Sequence, residues 1–119
     1  MNRSRQADVA LDEYLIASAR LGDNKALSAL VARWNGKLLA HAWRLLGDSD
    51  AARDAVQDAW AAIVRNIGSL KDTRAFPAWA YRIVSRRCAR LIDASVKRRQ
   101  FDRAALDQPA VPEDAGPEQ

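Results

Sequence analysis

From Arg74 to Ile92 the sequence reads RAFPAWAYRIVSRRCARLI. It sets Arg74, Arg82, Arg86, Arg87 and Arg90 among Phe76, Trp79 and Tyr81, with no carboxylate in the whole stretch. Arginine supplies charge and a flat stacking face, and an aromatic ring supplies a platform for an unpaired base. On a helix, Arg82, Arg86 and Arg90 recur about one turn apart, roughly 6 Å along the axis. That spacing lets them meet successive phosphates of a backbone. A ligand that uses both kinds of residue is single-stranded or opening nucleic acid. On sequence grounds Trp79 serves equally well as a platform or as a core anchor.

The charge distribution points the same way. The chain carries +4 overall, but the sum is +3 over residues 1–47, −2 over 48–70, +7 over 71–99 and −4 over 100–119. A basic surplus concentrated on one segment is the footprint of a polyanion-binding face. A solvated helix face is the commoner source of a charge run, but such a face normally mixes both signs.

Other chemistry finds little support. His41 is the only histidine and has no acidic or cysteine partner at ligand spacing, so no metal site is expected. Cys88 is the only cysteine, which excludes an internal disulfide, and it reads as a small core residue. The glycines stand apart and form no phosphate-binding loop. Asp48 and Asp50 suit the first turn of a helix, where the macrodipole favours negative charge. No cofactor and no catalytic residues are expected.

These side chains need elements to hold them. Leu21-Gly22-Asp23 and Leu46-Gly47-Asp48 repeat one junction: a left-handed glycine ends a helix, and the aspartate caps the next. Gly68 is expected to end a third helix in the same way. The first helix is predicted from about Asp8 to Leu21, with Leu11, Tyr14, Leu15 and Ser18 along one side. The second runs from Asn24 to Leu46 on a stripe of Leu27, Leu30, Val31, Trp34, Leu38 and Leu45. The third runs from Ser49 to Ile67 on Ala52, Val56, Ala59, Ile63 and Ile67. The fourth begins between Asp72 and Pro77 and continues to about Arg99, burying Tyr81, Val84, Cys88, Leu91 and Ile92. Strand signals are absent, so the fold class is all-α, a compact bundle of about four helices.

Residues 1–7 are expected to be a flexible N-terminus, 8–101 the helical domain and 102–119 a linker or disordered acidic tail with three prolines. No apolar run is long enough to cross a membrane, and no signal-peptide core follows the first residues. A cytoplasmic location without membrane insertion is the expectation.

Two segments carry a resemblance. LGDSDAARDAVQDAW, followed after a helix-breaking loop by AFPAWAYRIVSRRCARLI, resembles region two of bacterial sigma factors, in particular the extracytoplasmic-function group. The likeness covers about Asp12 to Arg99. It implies that Asp54 and Gln57, with Asp58 and Arg53 beside them, dock on the β′ clamp helices of core RNA polymerase. It also implies that the loop Gly68–Thr73 forms a pocket for a base flipped from the non-template strand of the minus-ten element. Lys71, Arg74, Phe76, Trp79, Tyr81, Arg82, Arg86, Arg87 and Arg90 are then the expected DNA surface, and an anti-sigma factor is a further expected partner.

The chain departs from that family in three places. Arg53 stands where an acidic residue is usual, Arg86 where an asparagine is common and Arg90 where an aspartate is usual. The leading expectation is a promoter-melting, polymerase-binding domain. A sigma-like interaction module that binds polymerase or an anti-sigma factor without reading DNA is the alternative, and an enzyme is the weakest reading.

Overall fold

A computed structural model describes residues 2–107. Four helices, α1 (Asn2–Arg20), α2 (Asn24–Leu46), α3 (Ser49–Asn66) and α4 (Phe76–Asp107), form the fold, with short 3-10 turns at Ile67–Ser69 and Thr73–Ala75 between α3 and α4. There is no strand among the described residues.

Both repeated junctions behave as their chemistry predicts. Gly22 and Gly47 take left-handed φ values of 94° and 67°, and the Gly47 N–H closes on the Trp43 carbonyl at 2.8 Å. The Asp23 carboxylate accepts from the N–H groups of Lys25 and Ala26, and that of Asp48 from Asp50. Each cap of this kind contributes about 1 kcal/mol. Gly68 does not follow the pattern. The chain leaves α3 through Ile67 in a right-handed conformation and tightens into a 3-10 turn, with no left-handed glycine.

Helix α2 is central and packs against the other three. The core joins Leu15, Ile16 and Ala19 of α1 to Leu30, Trp34 and Leu38 of α2, Val56 and Ile63 of α3, and Phe76, Val84 and Cys88 of α4. Ala26, Ala42, Ala52, Ala55, Ala59 and Ala80 are buried among them. Such small residues at the contacts let the helix axes approach closely.

Two helix boundaries and two buried faces differ from expectation. Helix α1 begins at Asn2, not near Asp8, so residues 2–7 belong to it; Arg33 of α2 holds this end through Asp12 at 2.7 Å and Asp8 at 3.7 Å. Its buried face is Leu15, Ile16 and Ala19, while Leu11 and Tyr14 are exposed. Helix α4 runs on to Asp107, which places residues 102–107 in a helix rather than a linker. Its burial stops at Cys88, and every residue from Ala89 to Leu106 is exposed, including Leu91 and Ile92. Among the described residues nothing buries this part, which spans about 27 Å at the helical rise. The proline-containing tail from 108 to 119 lies outside the described residues.

Candidate nucleic-acid and polymerase surfaces

On α4, Phe76, Ala80, Val84 and Cys88 follow one another at steps of four along the core line, all fully or almost fully buried. That line fixes where the neighbouring residues fall. Tyr81 and Ser85 lie on the flank facing α2: Tyr81 meets Trp34 and His41 edge-on at ring-centroid distances of 6.0 and 5.0 Å, and Ser85 Oγ is 2.8 Å from His41 Nε2. Trp79, Ile83, Arg86, Arg87 and Arg90 lie on the opposite flank, where with Ala62 and Asn66 of α3 they line a cleft of about 240 Å³. Arg82 points to solvent between the two flanks.

The expected DNA surface therefore divides. Trp79, Arg86, Arg87 and Arg90 come together, with Arg82 adjoining. Phe76 does not join them. It is 0 % exposed, edge-on to Trp34 at 5.6 Å and tilted against Trp79 at 6.0 Å, so it is a core ring that supports the tryptophan. Tyr81 is half-buried against α2 and away from the cleft. None of Arg82, Arg86, Arg87 and Arg90 has a carboxylate partner among the described residues. The cleft is thus strongly electropositive.

The loop that precedes α4 is anchored from a distance. Arg20, the last residue of α1, donates from Nη1 to the main-chain carbonyls of Leu70 and Lys71, the second at 2.9 Å. Asp72 caps the following turn, accepting from the Arg74 N–H at 2.9 Å and from Arg74 Nε at 3.2 Å. The main-chain hydrogen bond, then the guanidinium, hold the Asp72 carboxyl below its usual range. Arg74 is partnered by Asp72, unlike the α4 arginines, while Lys71 is exposed without a carboxylate partner among the described residues.

Helix α3 presents the second surface. Ala52, Ala55, Val56 and Ala59 are buried, which turns Arg53, Asp54, Gln57 and Asp58 to solvent. Asp54 and Gln57, three residues apart, share a face, and Asp58 extends it by one turn. Arg53 lies 3.9 Å from Asp50 in an exposed pair of little energetic weight. Beside this ridge a shallow groove between α2 and α3 is lined by Leu39, Arg53, Gln57 and Trp60. Its wall is fixed by a 2.9 Å hydrogen bond from the Trp60 indole N–H to Asn35 Oδ1. One helix thus serves both surfaces: Arg53 and Gln57 on one flank, Ala62 and Asn66 on the other.

A larger cleft, about 720 Å³, lies elsewhere, between α1, Trp34 and the start of α4. Its walls carry both signs, with Asp12 and Glu13 facing Lys37 and Arg74, so it is not part of the cationic face. Sequence reasoning missed Asn66 and Arg20. Asn66 is a single polar residue at a helix end, and Arg20 meets its loop across fifty residues; no local pattern marks either.

On α4, an arginine row without carboxylate partners among the described residues thus surrounds a tryptophan supported by Phe76. The model of the family Sigma-70 region 2 matches residues 30–99, more than half of the chain, and the protein belongs to that family. It is 32 % identical over 72 residues to the RNA polymerase sigma-H factor of Pseudomonas aeruginosa, a match covering 60 % of this chain and 37 % of that one. It is 33 % identical over 72 residues to the ECF RNA polymerase sigma-E factor of Escherichia coli K12, again 60 % of this chain and 37 % of the relative. The match therefore spans well under half of these relatives. Among solved structures, an engineered region 2 of sigmaE in complex with GTAAAA, determined by NMR, superposes with a TM-score of 0.66 at 30 % identity, covering 73 % of this chain and 90 % of that one.

Proposed function

We propose that this domain docks on core RNA polymerase through the Asp54–Gln57–Asp58 ridge of α3 and captures the unpaired non-template strand of a minus-ten promoter element along α4. The observation that carries the reading is the cleft in which Trp79 stands beside Arg86, Arg87 and Arg90, none of them paired with a carboxylate among the described residues. Arginines draw in the duplex, and a base that leaves the stack is retained by the aromatic face and the cleft. Stacking contributes about 1–3 kcal/mol per base, comparable with the few kcal/mol that unstacking costs. One or two captured bases therefore shift the balance towards the open form, with polymerase supplying the rest. The mechanism is capture, with no bond made or broken, and the setting is the bacterial cytoplasm.

Salt titration tests the DNA half. Arg86→Ala and Arg90→Ala should each weaken binding to any sequence and lower the salt slope on single strands by about 0.7 per lost phosphate contact. Binding equal to the parent at low salt would remove the DNA-reading role. The alternative, an interaction module for polymerase or an anti-sigma factor, would then stand; Arg53, Arg86 and Arg90, where the chain departs from the family pattern, are the features that leave it open.

A further inference from the structure

The arginine cleft has a chemical preference of its own. We infer that it selects guanine as the captured base, with Arg86, Arg87, Arg90 and Asn66 as the residues that set the choice. The inference rests on the base-capture reading above and specifies its ligand.

A guanidinium offers only donors, in a planar fork that matches two adjacent acceptors. Arg86, Arg87 and Arg90 therefore line the cleft with donors alone. Asn66 supplies the complement. Its Nδ2 donates to the Ala62 carbonyl at 2.8 Å, and because a carbonyl only accepts, this fixes the amide orientation and leaves Oδ1 as an acceptor with no donor among the described residues. A base that suits the cleft must show two adjacent acceptors to a guanidinium and, further round the ring, a donor to Asn66.

Guanine does both. N7 and O6 form the adjacent pair that arginine grips with two hydrogen bonds, and N1–H and the N2 amine continue the edge as donors. Its N3 gives a third acceptor for the remaining arginines. Adenine places its N6 donor beside N7, so an arginine fork meets a hydrogen in place of a lone pair. Thymine separates its two carbonyls with a donor. Cytosine has an adjacent pair in N3 and O2 and a donor in N4, but it has no further ring acceptor, and its single ring covers less of Trp79. The expected order is guanine, then cytosine, then adenine and thymine.

The test uses the full chain and thymine-rich single strands with one central guanine, cytosine, adenine or thymine, alongside strands carrying 7-deazaguanine, which lacks the N7 acceptor. Guanine should bind about fivefold or more tightly than adenine or thymine, the lower end of what one bidentate contact discriminates. The 7-deaza substitution should lose most of that margin. Arg86→Lys keeps the charge but not the fork, so it should reduce the guanine preference while leaving the salt slope unchanged, an outcome that a general electrostatic role would not give. Asn66→Leu should narrow the preference without weakening thymine strands. Single strands bound more tightly than duplex but with no guanine preference, or with 7-deazaguanine bound as well as guanine, would overturn this inference and leave the capture reading intact. No advantage of single strands over duplex would overturn both.

Discussion

Arg20 and Leu70 are fifty residues apart, yet the guanidinium of the first donates to the main-chain carbonyl of the second and to that of Lys71. The last residue of α1 thereby holds the loop that leads into α4, beside which the arginine cleft begins. Without Arg20 those carbonyls would lose their side-chain donor, leaving the loop to the Asp72 cap, the turn hydrogen bonds at Ile67 and Ser69 and the packing of Leu70 against the core. Hydrogen bonds to a charged group contribute about 1.5–3 kcal/mol, and the part-exposed setting favours the low end. Arg20→Met, which keeps the apolar stem, should lower the melting midpoint by several degrees, at about 4–8 °C per kcal/mol for a domain of this size. Amides of the Leu70–Thr73 segment should exchange faster in the variant. Unchanged exchange there would mean that the loop is held by other contacts.

The two neighbouring aromatics of α4 should respond differently to truncation. Phe76 is wholly buried, so Phe76→Ala should cost about 3–5 kcal/mol of stability. Trp79 is half-buried, and Trp79→Ala should cost less stability but reduce the preference for single-stranded over duplex DNA, with little change in salt slope. Thermal melting paired with binding titrations separates the two. A Trp79→Ala variant that melts as low as Phe76→Ala and keeps its strand preference would assign that ring to the core as well.

His41 brings a pH dependence. Burial first, then the nearby Arg44 charge, lowers its pKa below the ordinary value of 6.5. The unfolded chain thus takes up the proton more readily than the folded one, and stability is lost as pH falls below about 6.5, through the folded pKa. The His41→Gln variant should show a smaller drop in melting midpoint between pH 7.5 and 5.5 than the parent. An equal drop would place the acid sensitivity on the carboxylates instead.

Docking should depend on the α3 ridge. The double change Asp54→Ala and Gln57→Ala removes two exposed side chains while leaving Ala55, Val56 and Ala59 in the core. Affinity for a β′ clamp-helix fragment should fall and helical content should stay constant. Unaltered affinity would shift the docking surface to the groove beside Arg53 and Trp60.

What the sequence made legible was local. Asp23 and Asp48 cap helices through groups two or three residues away, so both junctions and the ends of α2 could be read directly. The buried line of α3 emerged as well, because Val56 and Ile63 leave little ambiguity about its face. The α1 face was misjudged because Ala19 is small and Tyr14 large, yet the small residue is buried and the large one exposed. Periodicity on α4 continues through Leu91 and Ile92 although the bundle beside it has ended, and no single helix encodes where its neighbours stop. The site was legible as composition rather than arrangement. That Trp79 adjoins Arg86 while Phe76 and Tyr81 turn elsewhere follows from the core line of α4, and Asn66 and Arg20 enter only through tertiary contact.

Strand opening tests the central claim most directly. A duplex carrying a promoter-like minus-ten element with a fluorescent base analogue on the non-template strand would be mixed with core polymerase and this domain. Parent protein should raise the fluorescence of the promoter-like duplex and not that of a scrambled one, and the Trp79→Ala, Arg86→Ala double variant should lose the signal while still binding polymerase. An equal signal from promoter-like and scrambled duplexes, or full opening by the double variant, would contradict capture of an unpaired base by the α4 cleft.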